Sequence, residues 1–147
     1  MVLQRFEEKT ALITGGGGMG RAVALRLLSE GGRVLVTDYS QDILARLKQE
    51  FDELGYSDRT RFLLSDVRIY RDCCVAVQKG VEWFGKIDIL VTTAGILRHH
   101  PIDLLTEKDW KDVVDVNLTG TYNSVKSVAG HMKDRRYGRI VLISSIG

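Results

Sequence analysis

Short apolar runs alternate with longer stretches of helical periodicity along the chain. Residues 10–14 (Thr-Ala-Leu-Ile-Thr) form a run with little polar alternation, as expected of a strand covered on both faces. Met19, Val23, Leu27 and Leu28 then recur at helical spacing, and Gly31 and Gly32 supply the left-handed cap that ends such a helix. A second strand is predicted over 33–37. Ser40 is placed as the N-cap of a helix whose apolar face includes Ile43, Leu44, Leu47 and Phe51.

Residues 61–64 predict a third strand, 69–84 a helix with Val77, Val81 and Phe84 on its apolar face, and 87–91 a fourth strand. Thr106 and Asp109 form a capping box that opens a long helix to about 132, and 139–143 predict a fifth strand. This alternation predicts an α/β fold: a doubly wound, Rossmann-type parallel sheet of five strands with helices on both faces. Pro101, the single proline, falls in a loop and interrupts no element.

The segment Thr14-Gly-Gly-Gly-Gly-Met-Gly20 lies between the first strand and the first helix. Glycines let a backbone turn tightly and approach a pyrophosphate, whose charge meets the free N–H groups of a helix N-terminus. Gly15, Gly17 and Gly20 satisfy the Gly-x-Gly-x-x-Gly spacing of dinucleotide sites. Asp38 ends the second strand 18 residues beyond Gly20, where a carboxylate accepts from adenosine ribose hydroxyls. A 2′-phosphate there would meet a repulsion on the order of several kcal/mol at ~4 Å. The loop also lacks a basic residue to receive that phosphate. NAD is therefore expected over NADP.

Of the 147 residues, 44% are hydrophobic and 27% charged, with a net charge of +2. Neither a nucleic-acid nor a membrane partner is indicated. The basic group Lys133, Arg135 and Arg136 follows a helical stretch, where cations suit a C-terminus. No apolar run approaches the ~20 residues of a membrane span, and the first residues do not pattern as a signal peptide. Cys73 and Cys74 are adjacent and have no further cysteine to pair with, which points to a reduced, cytoplasmic protein. His99, His100 and His131 offer no ligand spacing with them, so no metal is expected. His99 and His100 are expected in an exposed loop, and Trp83 and Trp110 in core or helix packing.

Further motifs carry a family resemblance over essentially the whole chain. Residues 6–15 (Phe-Glu-Glu-Lys-Thr-Ala-Leu-Ile-Thr-Gly), Ser65-Asp66-Val67, Thr92-Thr93-Ala94-Gly95, Asp115-Val116-Asn117-Leu118-Thr119-Gly120 and residues 138–145 (Gly-Arg-Ile-Val-Leu-Ile-Ser-Ser) resemble the ordered motifs of the short-chain dehydrogenase/reductase family. The resemblance implies a strand order of 3-2-1-4-5 and hydride transfer between a nicotinamide dinucleotide and a secondary alcohol or carbonyl compound. It implies that Ser145 is the catalytic serine and Asn117 the catalytic asparagine. The serine would hold the substrate oxygen, and the asparagine would support a proton-relaying water. Asp66 would hold the adenine amino group and Val67 would pack on the ring. The implied cofactor contacts are Gly15, Gly17, Gly18, Met19, Gly20, Asp38, Asp66, Val67, Ala94 and Gly95.

Three departures stand against the family pattern. The usual loop has three residues between its first two marked glycines, whereas Gly15 and Gly18 are separated by two. Thr92 and Thr93 occupy positions where the family usually has asparagines. The family's acid/base tyrosine, with a lysine four residues on, follows the serine, and the sequence ends at Gly147 before such a pair. The 147 residues are thus read as one truncated NAD-binding domain lacking the C-terminal part of the fold, expected to be inactive alone. The alternative is an inactive dinucleotide-binding module or partner subunit. Tyr122 and Lys126 share the tyrosine–lysine spacing but fall in the long helix ahead of the serine, where the family has a packing and dimer helix. Homo-oligomerisation is a further expectation of that helix.

Overall fold

The computed structural model describes residues 4–145. Its elements run β1 (Thr10–Thr14), α1 (Gly18–Ser29), β2 (Arg33–Asp38), α2 (Gln41–Glu53), a short 3-10 turn (Ser57–Arg59), β3 (Thr60–Leu64), α3 (Tyr70–Phe84) and β4 (Ile89–Thr92). The chain then forms α4 (Glu107–Val113), a π-helical stretch (Val114–Thr119), α5 (Gly120–Asp134) and β5 (Arg139–Leu142). All five strands are parallel, in the order β3-β2-β1-β4-β5. The expected order is therefore the observed one.

The alternation of side chains along β1, β2 and β4 divides the core. Ile13, Val36 and Val91 face α1 and α2, with Ala24, Leu28, Leu44, Leu47 and Phe51. Leu12, Leu35 and Leu90 face the other way, against Ala76, Val77 and Phe84 of α3 and Val128 and Met132 of α5. Each large apolar side chain buried in these layers contributes about 1.5–3 kcal/mol of transfer free energy.

Local signals act where the sequence places them. Ser40 Oγ accepts the Ile43 N–H, Thr106 and Asp109 complete both halves of their capping box, and Gly31 takes φ +90° just past the end of α1. The long helix differs from its expected form. It is continuous in direction but widens into the π-helical stretch before α5. Thr121 Oγ1 donates to Asn117 O at 2.7 Å and Ser124 Oγ to Gly120 O at 2.8 Å, drawing carbonyls from the helical ladder.

Two packing expectations are corrected. Met19 is exposed, because the buried stripe of α1 is Gly20, Ala24, Leu27 and Leu28, which lets the helix lie close to the sheet. Trp110 stands 64% exposed on α4, whereas Trp83 is 38% exposed on α3, with most of its surface covered. Arg135, the C-cap residue of α5, also donates to Asp88 Oδ1 and Ile87 O at 2.9 Å. Asp88 is fully buried and also accepts the Thr10 N–H at 3.0 Å. Burial pushes its carboxyl upward, but the Thr10 N–H, Arg135 and Lys86 outweigh it and hold the group below the usual carboxylate range.

In the sheet, Thr14 pairs with Thr37 on one side and Thr92 on the other, so three strands end level. From β1 the chain first builds outward through β2 and β3, then returns to place β4 on its other side. The crevice at this switch point, beyond the carboxyl ends of the strands, is where open parallel sheets take ligands.

Candidate functional site

A cavity of about 360 Å³ opens at that switch point, lined from the glycine loop, the ends of β2, β3 and β4, and the α4 side. Its first wall is the turn after β1. Gly15 takes φ +91°, a conformation that glycine alone adopts without strain. A β-carbon there would also lie 2.6 Å from Ala94 N. Gly20 is equally constrained, since a β-carbon on it would overlap Gly15 O. Around Gly17 and Gly18 a β-carbon would meet only open space. The four glycines thus divide between two that let strands and helix pack and two that leave the helix end uncovered.

The N–H groups of the first turn of α1 precede the first intrahelical bond, from Arg21 N to Gly17 O at 2.8 Å. Such a helix end attracts anions. Gly15 and Gly17 line the cavity, whereas Gly18, Met19 and Gly20 lie along the start of α1 outside its lining.

The second wall is Asp38, 7% exposed. Its Oδ2 accepts the Gly16 N–H at 2.7 Å and its Oδ1 the Ser40 N–H at 2.9 Å. Among the described residues no cation pairs with it. A carboxylate offers about four acceptor directions, so two backbone bonds leave capacity for hydroxyl donors. Tyr39, exposed, and Ile43 flank it in the cavity wall.

The third wall is the turn after β3. Val67 is buried, lines the cavity and packs so closely on Gly120 that a β-carbon there would lie 2.5 Å from Val67 Cγ2. Asp66 is already engaged: its carboxylate accepts from the Arg68 backbone N–H and guanidinium, at 2.5–3.0 Å. Hydrogen bonding from the Arg68 side chain holds the Asp66 carboxyl below its usual range. The buried Asn123 of α5 donates to Val67 O at 2.9 Å and Arg68 O at 3.1 Å, fixing this turn to the helix.

Asn117 does the same for the fourth wall. Its Oδ1 accepts the Ile96 N–H at 2.8 Å while its Nδ2 donates to Ile96 O at 2.9 Å. This two-point clamp holds the turn of Ala94 and Gly95, both of which line the cavity. The adjoining loop carries Arg98, paired loosely with Asp109 and Asp112 at 3.5 and 3.8 Å. Arg98, Asp112 and Val116 complete the lining.

Ser145 follows β5 and is exposed; neither it nor Asn117 is part of the cavity lining. Tyr122 and Lys126 lie elsewhere. The Lys126 ammonium sits over the rings of Tyr70 and Tyr122, 4.9 and 5.4 Å from their centres, in a surface cluster between α3 and α5. His99 and His100 are exposed in the loop, as expected. Cys73 is buried, and burial pushes its thiol up to about 11, against the opposing Ser124 hydroxyl. No group of three or more potential metal ligands occurs among the described residues. Nor is any helix among them long and apolar enough to cross a membrane.

Sequence reasoning noted Thr93 only as a departure from the family's asparagine, and did not anticipate Asn123, Arg68 or Tyr39 as parts of this site. Local signals existed for Arg68, two residues after Asp66, for Tyr39, next to Asp38, and for Thr93, inside the motif that ends at Gly95; Asn123 had none.

Known proteins match this architecture. A family model described as short chain dehydrogenase matches residues 9–147. The chain is 35% identical over 141 residues to the (2S)-[(R)-hydroxy(phenyl)methyl]succinyl-CoA dehydrogenase subunit BbsD of Thauera aromatica, covering 95% of this chain and 56% of that one. It is 39% identical over 140 residues to the acetoacetyl-CoA reductase of Paracoccus denitrificans, covering 94% and 55% respectively. Among solved structures, an NAD+-bound xylitol dehydrogenase superposes with a TM-score of 0.90 at 33% identity, over 97% of this chain and 55% of that one. The chain thus spans a little over half the length of the relatives it matches. The level strand ends, the glycine turn packed on Ala94 and the match over residues 9–147 agree: the chain belongs to the short chain dehydrogenase family.

Proposed function

We propose that these residues form the dinucleotide-holding part of an oxidoreductase that interconverts a secondary alcohol and a carbonyl compound, with NAD(H) preferred over NADP(H). The observation that carries this reading is Asp38: a buried carboxylate in the cavity wall, held by two backbone N–H groups and paired with no cation among the described residues. Ribose hydroxyls are suitable donors to it, whereas a 2′-phosphate would meet unscreened like charge. The first turn of α1 suits the pyrophosphate, with Gly17, Gly18, Met19 and Gly20 supplying N–H groups and Gly15 allowing the turn. Val67 suits an adenine face and Asp66 its amino group, while Ala94 and Gly95 suit the segment leading to the nicotinamide.

The bound nicotinamide would accept or return the hydride of the substrate carbon. Ser145 is assigned to hydrogen-bond the substrate oxygen, and Asn117 to support the proton relay, on the family motifs they occupy. The resemblance places the proton-transferring tyrosine and its lysine after Ser145, and no such pair follows Ser145 within the 147 residues. A row of exposed side chains along the long helix, Trp110, Leu118 and Tyr122, suits association with a second copy.

Calorimetric titration tests the reading. NADH is expected to bind and NADPH to bind at least tenfold more weakly. Absence of binding by either dinucleotide, or equal affinity for both, overturns the proposal.

A further inference from the structure

The loop between β1 and α1 is one residue shorter than the family's usual form, and three backbone polar atoms of the turn at Gly15 and Gly16 are tied down. Gly15 N–H donates to Thr37 O at 2.7 Å and Gly16 N–H to Asp38 Oδ2 at 2.7 Å. The third, Gly15 O, meets Thr93. The Thr93 hydroxyl lies 2.9 Å from both Gly15 O and Thr14 O. A hydroxyl carries a single proton to donate. Thr14 O already receives the Thr93 N–H at 2.8 Å, so Gly15 O is the acceptor that depends on the hydroxyl.

The start of α1 rests on the same atoms. A β-carbon on Gly20 would overlap Gly15 O and lie 2.7 Å from Thr93 Oγ1. Thr93 Oγ1, Gly15 O and Gly20 therefore form one packed group joining the end of β4, the end of β1 and the first turn of the helix. The orientation of the Gly15 peptide sets the direction in which the following N–H groups point.

We infer that Thr93 is a positioning residue: its hydroxyl, acting through the Gly15 carbonyl, orients the first-turn N–H groups of α1 toward a bound pyrophosphate. The inference rests on the dinucleotide reading above. Valine has threonine's shape without the donor, and would leave Gly15 O without that hydrogen bond and the turn free to rotate. Serine retains the donor with one methyl fewer.

Titration of NADH into the unsubstituted chain, Thr93→Val and Thr93→Ser tests it, with circular dichroism confirming that each folds. Thr93→Val is expected to weaken NADH about tenfold and Thr93→Ser less than about threefold. If Thr93→Val does not fold, Thr93→Ala removes the same donor with less bulk and takes its place. Equal affinity in the unsubstituted chain and the donor-free variant overturns the inference and leaves the dinucleotide reading intact. Equal weakening by Thr93→Val and Thr93→Ser overturns the role of the hydroxyl. No binding by the unsubstituted chain overturns the dinucleotide reading, and the inference with it.

Discussion

Asp38 and Gly16 are joined across the mouth of the cavity, the Gly16 N–H donating to Asp38 Oδ2 at 2.7 Å. The acid that faces the ribose position is thereby also a brace for the glycine turn, so the adenosine and pyrophosphate regions share one carboxylate. Its loss removes a charge-assisted bond to the loop as well as the acceptor for a ligand hydroxyl.

Asp38→Ala is therefore expected to weaken NADH by more than tenfold, corresponding to about 1.5–3 kcal/mol for a hydrogen bond to a charged group. NADPH should lose less, because the like-charge repulsion disappears together with the support for the loop. Parallel titrations with the two dinucleotides give the ratio, and an unchanged ratio would contradict the assigned role.

The glycines should separate by function under alanine substitution. Gly15→Ala and Gly20→Ala place a β-carbon against the Ala94 backbone and the Gly15 carbonyl, and are expected to lower stability by about 1–3 kcal/mol. Gly18→Ala meets no atom within 4 Å and starts a helix, so thermal stability should be unchanged or slightly raised. Its NADH affinity should nevertheless fall, because the added methyl occupies space open to the phosphate. Thermal melts and titrations on all three variants check both halves of this expectation.

Asn117 and Asn123 project from one helical stretch onto two different turns of the cavity wall. Asn117→Ala removes both bonds to Ile96 and should cost about 1–2 kcal/mol, a shift on the order of 2–8 °C for a chain of this size. Amide exchange at Ile96 should quicken at the same time, while the Arg68 N–H, which donates to Asp66 in the turn that Asn123 holds by its carbonyls, should keep its protection. Uniform quickening at both turns would mean that the helix itself had been lost.

Stability should decline in two stages on acidification. His131 accepts the Ile87 N–H at 3.1 Å, and burial, assisted by Arg135, keeps its pKa below the ordinary 6.5. The unfolded chain therefore binds the proton first, and this contribution, complete above about pH 6.5, is lost as pH falls through the lower folded value. Asp88, also lowered, contributes fully above about pH 4 and loses that contribution only below it. Denaturant melts from pH 7 to 5 should show a decline that His131→Gln reduces. Arg135→Ala should cost about 2–3 kcal/mol at pH 7 by leaving Asp88 buried with fewer partners.

Much of this molecule was legible along the chain because its signals are local. Ser40 and the Thr106–Asp109 box need only neighbours within one helical turn, and the unbroken apolar runs of β1 and β2 declare burial on both sheet faces. The family motifs fixed the strand order, which periodicity alone does not contain. Gly15 and Asp38 could be singled out because a strand–turn–helix and the next strand end bring them together by short-range geometry. The exposure of Trp110 and Met19 could not be read, since helical spacing describes a face without saying what lies against it. Nor could the engagement of Asp66 by Arg68 or the two asparagine clamps, which depend on side-chain reach between turns and helices distant in sequence. Thr93 shows the division most clearly. As a letter it was a departure from the family's asparagine; its hydroxyl gains a role only when β4 is paired with β1, bringing Gly15, 78 positions away, to 2.9 Å. The sequence by itself determined the elements, the turn and the charge of the site, because those follow from backbone preference and spacing. The tertiary structure decided which polar atoms are already occupied, because hydrogen bonds between remote segments exist only after the sheet has been assembled.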